Sequence, residues 1–145
     1  MKDPLSRKRI KTRGVHVSRA LLALAGAIAG LASLRWPFHL AVATIRGQGA
    51  FDPTIAAFTV TFALGAVGLP GYLAALSPTP ATTARARVWL RASLLAMLAS
   101  SLATLGWIGM SVVAIGPTLT RTRIVLELAA PLAAAAICVW RRRHL

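Results

Sequence analysis

The chain contains few side chains suited to acid–base catalysis or metal binding. Its 145 residues include three acidic residues, three histidines and one cysteine. The acids Asp3, Asp52 and Glu127 lie in separate segments and offer no carboxylate pair for general acid–base work. The histidines lack the spacing of metal ligands, and the single Cys138 excludes an intrachain disulfide and a CxxC motif. We therefore expect no enzyme activity, no metal site and no cofactor.

Glu127 is the one residue that invites a mechanism, because it lies inside an apolar run. A carboxyl at membrane depth is costly, which makes it a candidate for function. Pro131 has no N–H and leaves the carbonyl of residue 127 without its helical partner. The carboxyl and the free carbonyl together suit a cation, a proton or an arginine of a partner. The simpler interpretation is an ion pair with Arg123, one turn earlier. We favour pairing or partner contact over transport.

The composition indicates a membrane protein. Hydrophobic residues make up 57% of the chain and the mean hydropathy is +0.68. Charged residues make up 14%, against about 25% in soluble domains. The net charge is +14, but the basic residues lie at the ends of apolar runs, where topology signals occur. We therefore expect contact with the lipid bilayer and no nucleic-acid partner.

Four apolar runs are long enough to cross a bilayer, at about 15–34, 54–76, 88–115 and 124–140. They predict an all-α fold, an integral membrane bundle of four transmembrane helices. The membrane domain covers residues 20–140, with basic cytoplasmic tails at 1–19 and 141–145. Asp52 and Pro53 suit the start of the second helix as its cap and first residue.

The region that follows the first span has more than one interpretation. Residues 35–45 are too short to span and suit either an interfacial helix or a re-entrant element. A cleaved signal peptide is an alternative, because a basic segment precedes the apolar run and the triplet 41–43 has the form A-x-A. The intervening Arg35, Pro37 and His39 and the long basic segment argue against cleavage.

Each predicted span carries small residues at steps of three and four. Lipid provides no hydrophobic drive for helices to associate, so close packing through small residues has to do it. The predicted contact residues are Gly26, Gly30, Gly65, Gly68, Ser100 and Thr104. The alternative is that the hydroxyl stripe of the third span, Ser93, Ser100, Thr104 and Ser111, lines a pore. Serine and threonine also bond back to their own helix, so we favour packing.

Two functions fit these features. The lack of catalytic groups and the small-residue faces favour an accessory or assembly subunit of a larger membrane complex, with other membrane subunits or further copies of itself as partners. The alternative is a self-assembling small channel, transporter or holin-like protein that uses Glu127 and the hydroxyl stripe. In size, number of spans and charge of its C-terminal tail, 141–145, the chain resembles holins, which implies self-assembly.

We predict that both termini are cytoplasmic and that the chain lies in the cell membrane. Of the 17 lysines and arginines, 13 lie in residues 1–19, 77–91 and 141–145, and four lie in the two remaining loops. Positive residues concentrate on the cytoplasmic side. Reporter fusions at the N-terminal tail, near Gly49 and after Leu145 test this orientation. A cytoplasmic signal from the fusion near Gly49 would contradict it.

Overall fold

The computed structural model describes residues 20–47, 53–77, 83–115 and 121–143, and almost all of them are helical. The prediction of an all-α fold is confirmed. Helix α1 covers 20–33 and is followed, in order, by α2 (Arg35–Gly47), α3 (Pro53–Leu76), α4 (Ala84–Ile115) and α5 (Arg121–Arg143). The predicted tail 1–19 and residues 144–145 lie outside the described residues.

Three helical stretches in the described part of the chain are long and apolar enough to cross a membrane. They are Ala20–Gly47, Pro53–Leu76 and Ala84–Val113, of 28, 24 and 30 residues. A bilayer core of about 30 Å needs about 20 helical residues. The predicted fourth span lies within α5, and a fourth crossing remains a prediction.

A single turn at Leu34 separates α1 from α2, and Pro37 accounts for it. Proline has no N–H to donate to the carbonyl of Ser33, and its ring crowds that carbonyl. The N–H of Leu34 therefore bonds the carbonyl of Leu31 at 3.2 Å, one residue short of the α-helical pattern. The N–H of Phe38 resumes that pattern with the carbonyl of Leu34 at 3.1 Å. Residues 35–45 are thus helical, and the helix continues after one irregular turn.

Helices α1 and α2 both run antiparallel to α3. The Tyr72 hydroxyl near the end of α3 contacts Gly26 of α1. Further along, the Phe38 ring of α2 lies 5.5 Å from the Phe62 ring in the first half of α3. The contacts advance steadily along α3 with no reversal of direction. This arrangement favours a helix that continues past Pro37 over a re-entrant element.

Helices α3 and α4 are in contact through their backbones. A Cβ atom added to Gly68 would lie 2.6 Å from the amide nitrogen of Met97 and 2.7 Å from the carbonyl oxygen of Ser93. A Cβ on Gly65 would overlap Leu34 and Ser100, and one on Gly71 would overlap Ser93. Only a residue without a side chain permits this approach.

The core lies where α3, α4 and α5 meet. Its buried cluster consists of Tyr72, Ala75, Leu90, Leu94, Met97, Ala134 and Cys138. Cys138 is a free, buried cysteine, which fits a small core residue. The Arg141 guanidinium donates a hydrogen bond of 3.0 Å to the carbonyl of Ser77. The C-terminal ends of α3 and α5 therefore lie at the same end of the bundle.

Adding one methyl group at Gly68 should destabilise the fold. The atoms it would meet belong to the backbone of α4, which cannot rotate away as a side chain can. We expect Gly68→Ala to lower the free energy of unfolding by about 1–3 kcal/mol, the usual range for overpacking. The matched control is Gly106→Ala, because a Cβ there meets nothing within 4 Å and the gain in helix propensity is the same. Thermal unfolding in detergent measures both. Equal melting temperatures for the two variants would show that α3 and α4 are not in close contact.

Candidate functional site

Glu127 lies almost two turns into α5, which begins at Arg121. Its side chain is half-buried, whereas that of Pro131 is fully buried. The two residues are four apart and therefore share one side of the helix. Because Pro131 has no N–H, the carbonyl of Glu127 lacks the usual helical donor. A carboxyl and a free carbonyl acceptor thus belong to one residue.

The predicted ion pair between Arg123 and Glu127 lies outside the described residues. The backbone of Arg123 belongs to α5, four residues before Glu127, but its side chain is among those not described. The spacing permits the pair on a helix.

The depth of Glu127 follows from a contact near the other end of α5. Ile137 Cδ1 lies 3.3 Å from the position that a Cβ on Gly26 would take. Glu127 is ten residues earlier, which is about 15 Å along the helix. Going back along α5 leads away from the end marked by Ser77 and Arg141. Glu127 therefore lies nearer the middle of the bundle than its place in the predicted span 124–140 suggests.

One hydroxyl of the α4 stripe bonds across to α3, and two bond back to α4 itself. The Ser100 hydroxyl donates to the carbonyl of Thr61 on α3 at 2.8 Å, and the Thr104 hydroxyl donates to the carbonyl of Ser100 at 2.8 Å. The Ser111 hydroxyl donates to the carbonyl of Trp107 at 2.9 Å. Ser93 is buried against Gly71. Among the predicted contact residues, Gly65 therefore meets Ser100 between α3 and α4, Gly68 meets α4 at Ser93 and Met97, and Thr104 is buried but bonds within its own helix.

The other predicted glycines lie between α1 and α3. Tyr72 has no exposed surface, and its hydroxyl donates to the carbonyl of Gly26 at 2.7 Å. A Cβ on Gly30 would lie 2.5 Å from Cε1 of the Tyr72 ring. A Cβ on Gly26 would lie 3.1 Å from Leu76. The structure therefore places Gly26 and Gly30 against Tyr72, and away from Glu127.

Two polar residues were not singled out by the sequence. Ser101 is buried, and its hydroxyl has no hydrogen-bond partner among the described residues. Steps of three and four residues from Ser93 reach Ser100 and omit Ser101. Only its position next to Ser100 could have indicated that Ser101 is buried. Arg35 is exposed at the start of α2. The sequence left residues 35–45 open between an interfacial helix and a re-entrant element, and so gave Arg35 no place inside a long helix.

Neither metal ligands nor known relatives indicate a function. Among the described residues, no group of three His, Cys, Asp or Glu side chains could hold a metal ion. No protein-family model matches the chain, and comparisons with curated proteins and with solved structures find no similar protein. The function has to be inferred from the residues themselves.

Removing the Tyr72 hydroxyl should weaken the contact between α1 and α3. We expect Tyr72→Phe to cost about 0.6–1.7 kcal/mol, the range measured for hydrogen bonds between membrane helices. The control is Thr59→Val, which removes an exposed hydroxyl that bonds the carbonyl of Ile55 within its own helix. Thermal unfolding in detergent compares the two. A larger loss for Thr59→Val than for Tyr72→Phe would contradict the assigned contact.

Proposed function

We propose that the chain is a multi-pass protein of the cell membrane that serves as an accessory or assembly subunit of a larger membrane complex and is not an enzyme. In this proposal α5 is the fourth span, and both termini are cytoplasmic. The observation that supports this proposal is the contact between α3 and α4, which leaves no open space between the two helices. Of the hydroxyls that would line a path, Ser100 bonds across to α3, and Thr104 and Ser111 bond back to carbonyls of their own helix.

The distribution of arginines supports this orientation. Arg141 reaches the carbonyl of Ser77 at the C-terminal end of α3. The exposed Arg85 and Arg87 follow soon after, at the start of α4, where the Thr83 hydroxyl accepts a hydrogen bond of 3.2 Å from the N–H of Ala86. The basic start of α4 and the basic end of α5 therefore share one end of the bundle. A common positive end fits the cytoplasmic side.

The outer surface supports assembly with other membrane helices. On α4, Val88, Leu102 and Val113 expose between half and nearly all of their side-chain surface. On the same helix, Gly106 and Gly109 have nothing within 4 Å of an added Cβ. In a bilayer this surface is covered by lipid or by another helix, and small residues let a helix approach closely.

The alternative is a self-assembling small channel, transporter or holin-like protein. The half-buried carboxyl of Glu127 near the middle of the bundle favours it. A conducting path inside one chain is disfavoured between α3 and α4, because Gly65, Gly68 and Gly71 leave no room there for even a methyl group. A path would have to form between copies or beside α5.

Purification and flux measurements separate the two functions. We expect a tagged chain, purified in mild detergent, to elute with other membrane polypeptides in constant proportion. We expect liposomes with the purified chain to show no proton or ion flux above that of empty liposomes. Flux that is lost in Glu127→Gln while assembly stays intact would favour the alternative. Glutamine keeps the shape and removes the charge, so it tests the carboxyl alone.

A further inference from the structure

Arg35 and Glu127 lie at about the same distance, measured along their helices, from the contact between Gly26 and Ile137. Ile137 and Gly26 are in contact, since the Ile137 Cδ1 atom lies 3.3 Å from the Cβ position of Gly26. Arg35 is nine residues after Gly26, about 14 Å along the helix. Glu127 is ten residues before Ile137, about 15 Å along α5.

Both residues lie on the same side of that contact. From Gly26 to Arg35 the chain moves towards the start of α3, because Leu34 already adjoins Gly65. Going back from Ile137 to Glu127 also moves away from the Ser77 end of α3. Arg35 and Glu127 are therefore at about the same depth, level with the middle of α3. In a bilayer spanned by α3, that level is near the centre of the hydrocarbon core.

Neither charge forms an ion pair with another side chain that the structure describes, and the side chain of Arg123 is not among those described. Glu127 is the one acidic residue in the described ranges, and no hydrogen bond or ion pair of these ranges involves Arg35. Helix α2 packs mainly on α3, whereas α5 packs mainly on α4. Arg35 is exposed, and in the membrane arrangement proposed above an unpaired guanidinium at this position is costly. The chain thus presents two opposite charges at one level, on two different helices.

We propose that a second copy of this chain supplies the missing partner, so that Arg35 of one copy pairs with Glu127 of its neighbour. Copies inserted in the same orientation hold both groups at one depth, so neighbours meet in register without any tilt. An arginine and a carboxylate form two parallel charge-assisted hydrogen bonds, which are strongest away from water. The proposal rests on the membrane-spanning arrangement proposed above.

Two closed assemblies satisfy every charge. In a two-fold dimer, Arg35 of each copy meets Glu127 of the other, and in a ring each copy meets the next one head-to-tail. Both assemblies leave no Arg35 and no Glu127 free.

Charge reversal tests the pair in the full-length chain. In lipid nanodiscs or mild detergent, we expect Arg35→Glu and Glu127→Arg each to weaken self-association by about tenfold or more, the change expected for a lost charge-assisted contact. The double variant, Arg35→Glu with Glu127→Arg, should restore association. The control is Arg46→Glu, an exposed arginine in the last turn of the same helix, which should leave association unchanged. Light scattering and energy transfer between labelled copies measure the stoichiometry.

Cysteine cross-linking keeps the proposal testable if a reversed charge prevents insertion. In a Cys138→Ala background, one copy carries Arg35→Cys and a differently tagged copy carries Glu127→Cys. We expect a disulfide between the two tags. Three results would each overturn the proposal. They are a monomeric chain, a cross-link only within a single chain that carries both cysteines, and association that depends on Arg123 and not on Arg35. Reporter fusions separate this failure from a failure of the proposed membrane arrangement, since they report topology whether or not copies pair.

Discussion

The close approach of α3 and α4 is the constraint on which the rest of the structure depends. Gly68 allows its backbone to touch the backbone of α4 near Met97. In lipid, helices gain little from burying apolar side chains, so the attraction has to come from many short-range contacts and a few hydrogen bonds. The hydrogen bond from Ser100 to the carbonyl of Thr61, 2.8 Å long, forms only because the two backbones are this close. The glycines thus create the conditions in which a small hydroxyl can join two helices.

Tyr72 extends the same principle to a third and a fourth helix. Its ring fills the space beside Gly30, and its hydroxyl ends at the carbonyl of Gly26. The same residue belongs to the buried cluster that includes Ala134 and Cys138 of α5. One large side chain is therefore enclosed by small residues on its neighbours, and this fixes the distances between them. Large residues against small ones are how helices without a hydrophobic drive attain dense packing.

The spacing of residues in the sequence indicates packed faces more directly than it indicates helix limits. Small residues recur with the helical period, so the faces of Gly65 and Ser100 could be read directly from the spacing. The helix from Arg35 to Gly47 could not, because an arginine followed by Pro37 is also how a span ends. The decisive facts are tertiary: Pro37 is fully buried, and the hydrogen bonds resume at Phe38. Neighbouring helices hold the segment in place where its own sequence suggests a stop.

The helical structure of residues 35–47 changes the environment of Arg35 and its position relative to Glu127. In a loop, Arg35 would be hydrated and unremarkable. In the helix, it lies beside the middle of α3, at about the level that Glu127 occupies on α5. A polar group inside the bundle can be satisfied by a neighbouring backbone, as Ser100 and Tyr72 are. In the membrane arrangement proposed above, the exposed Arg35 has no such neighbour, because it meets lipid or another molecule. The hydrogen bonds inside the bundle therefore close the chain on itself, whereas Arg35, in that arrangement, has to find its partner outside it.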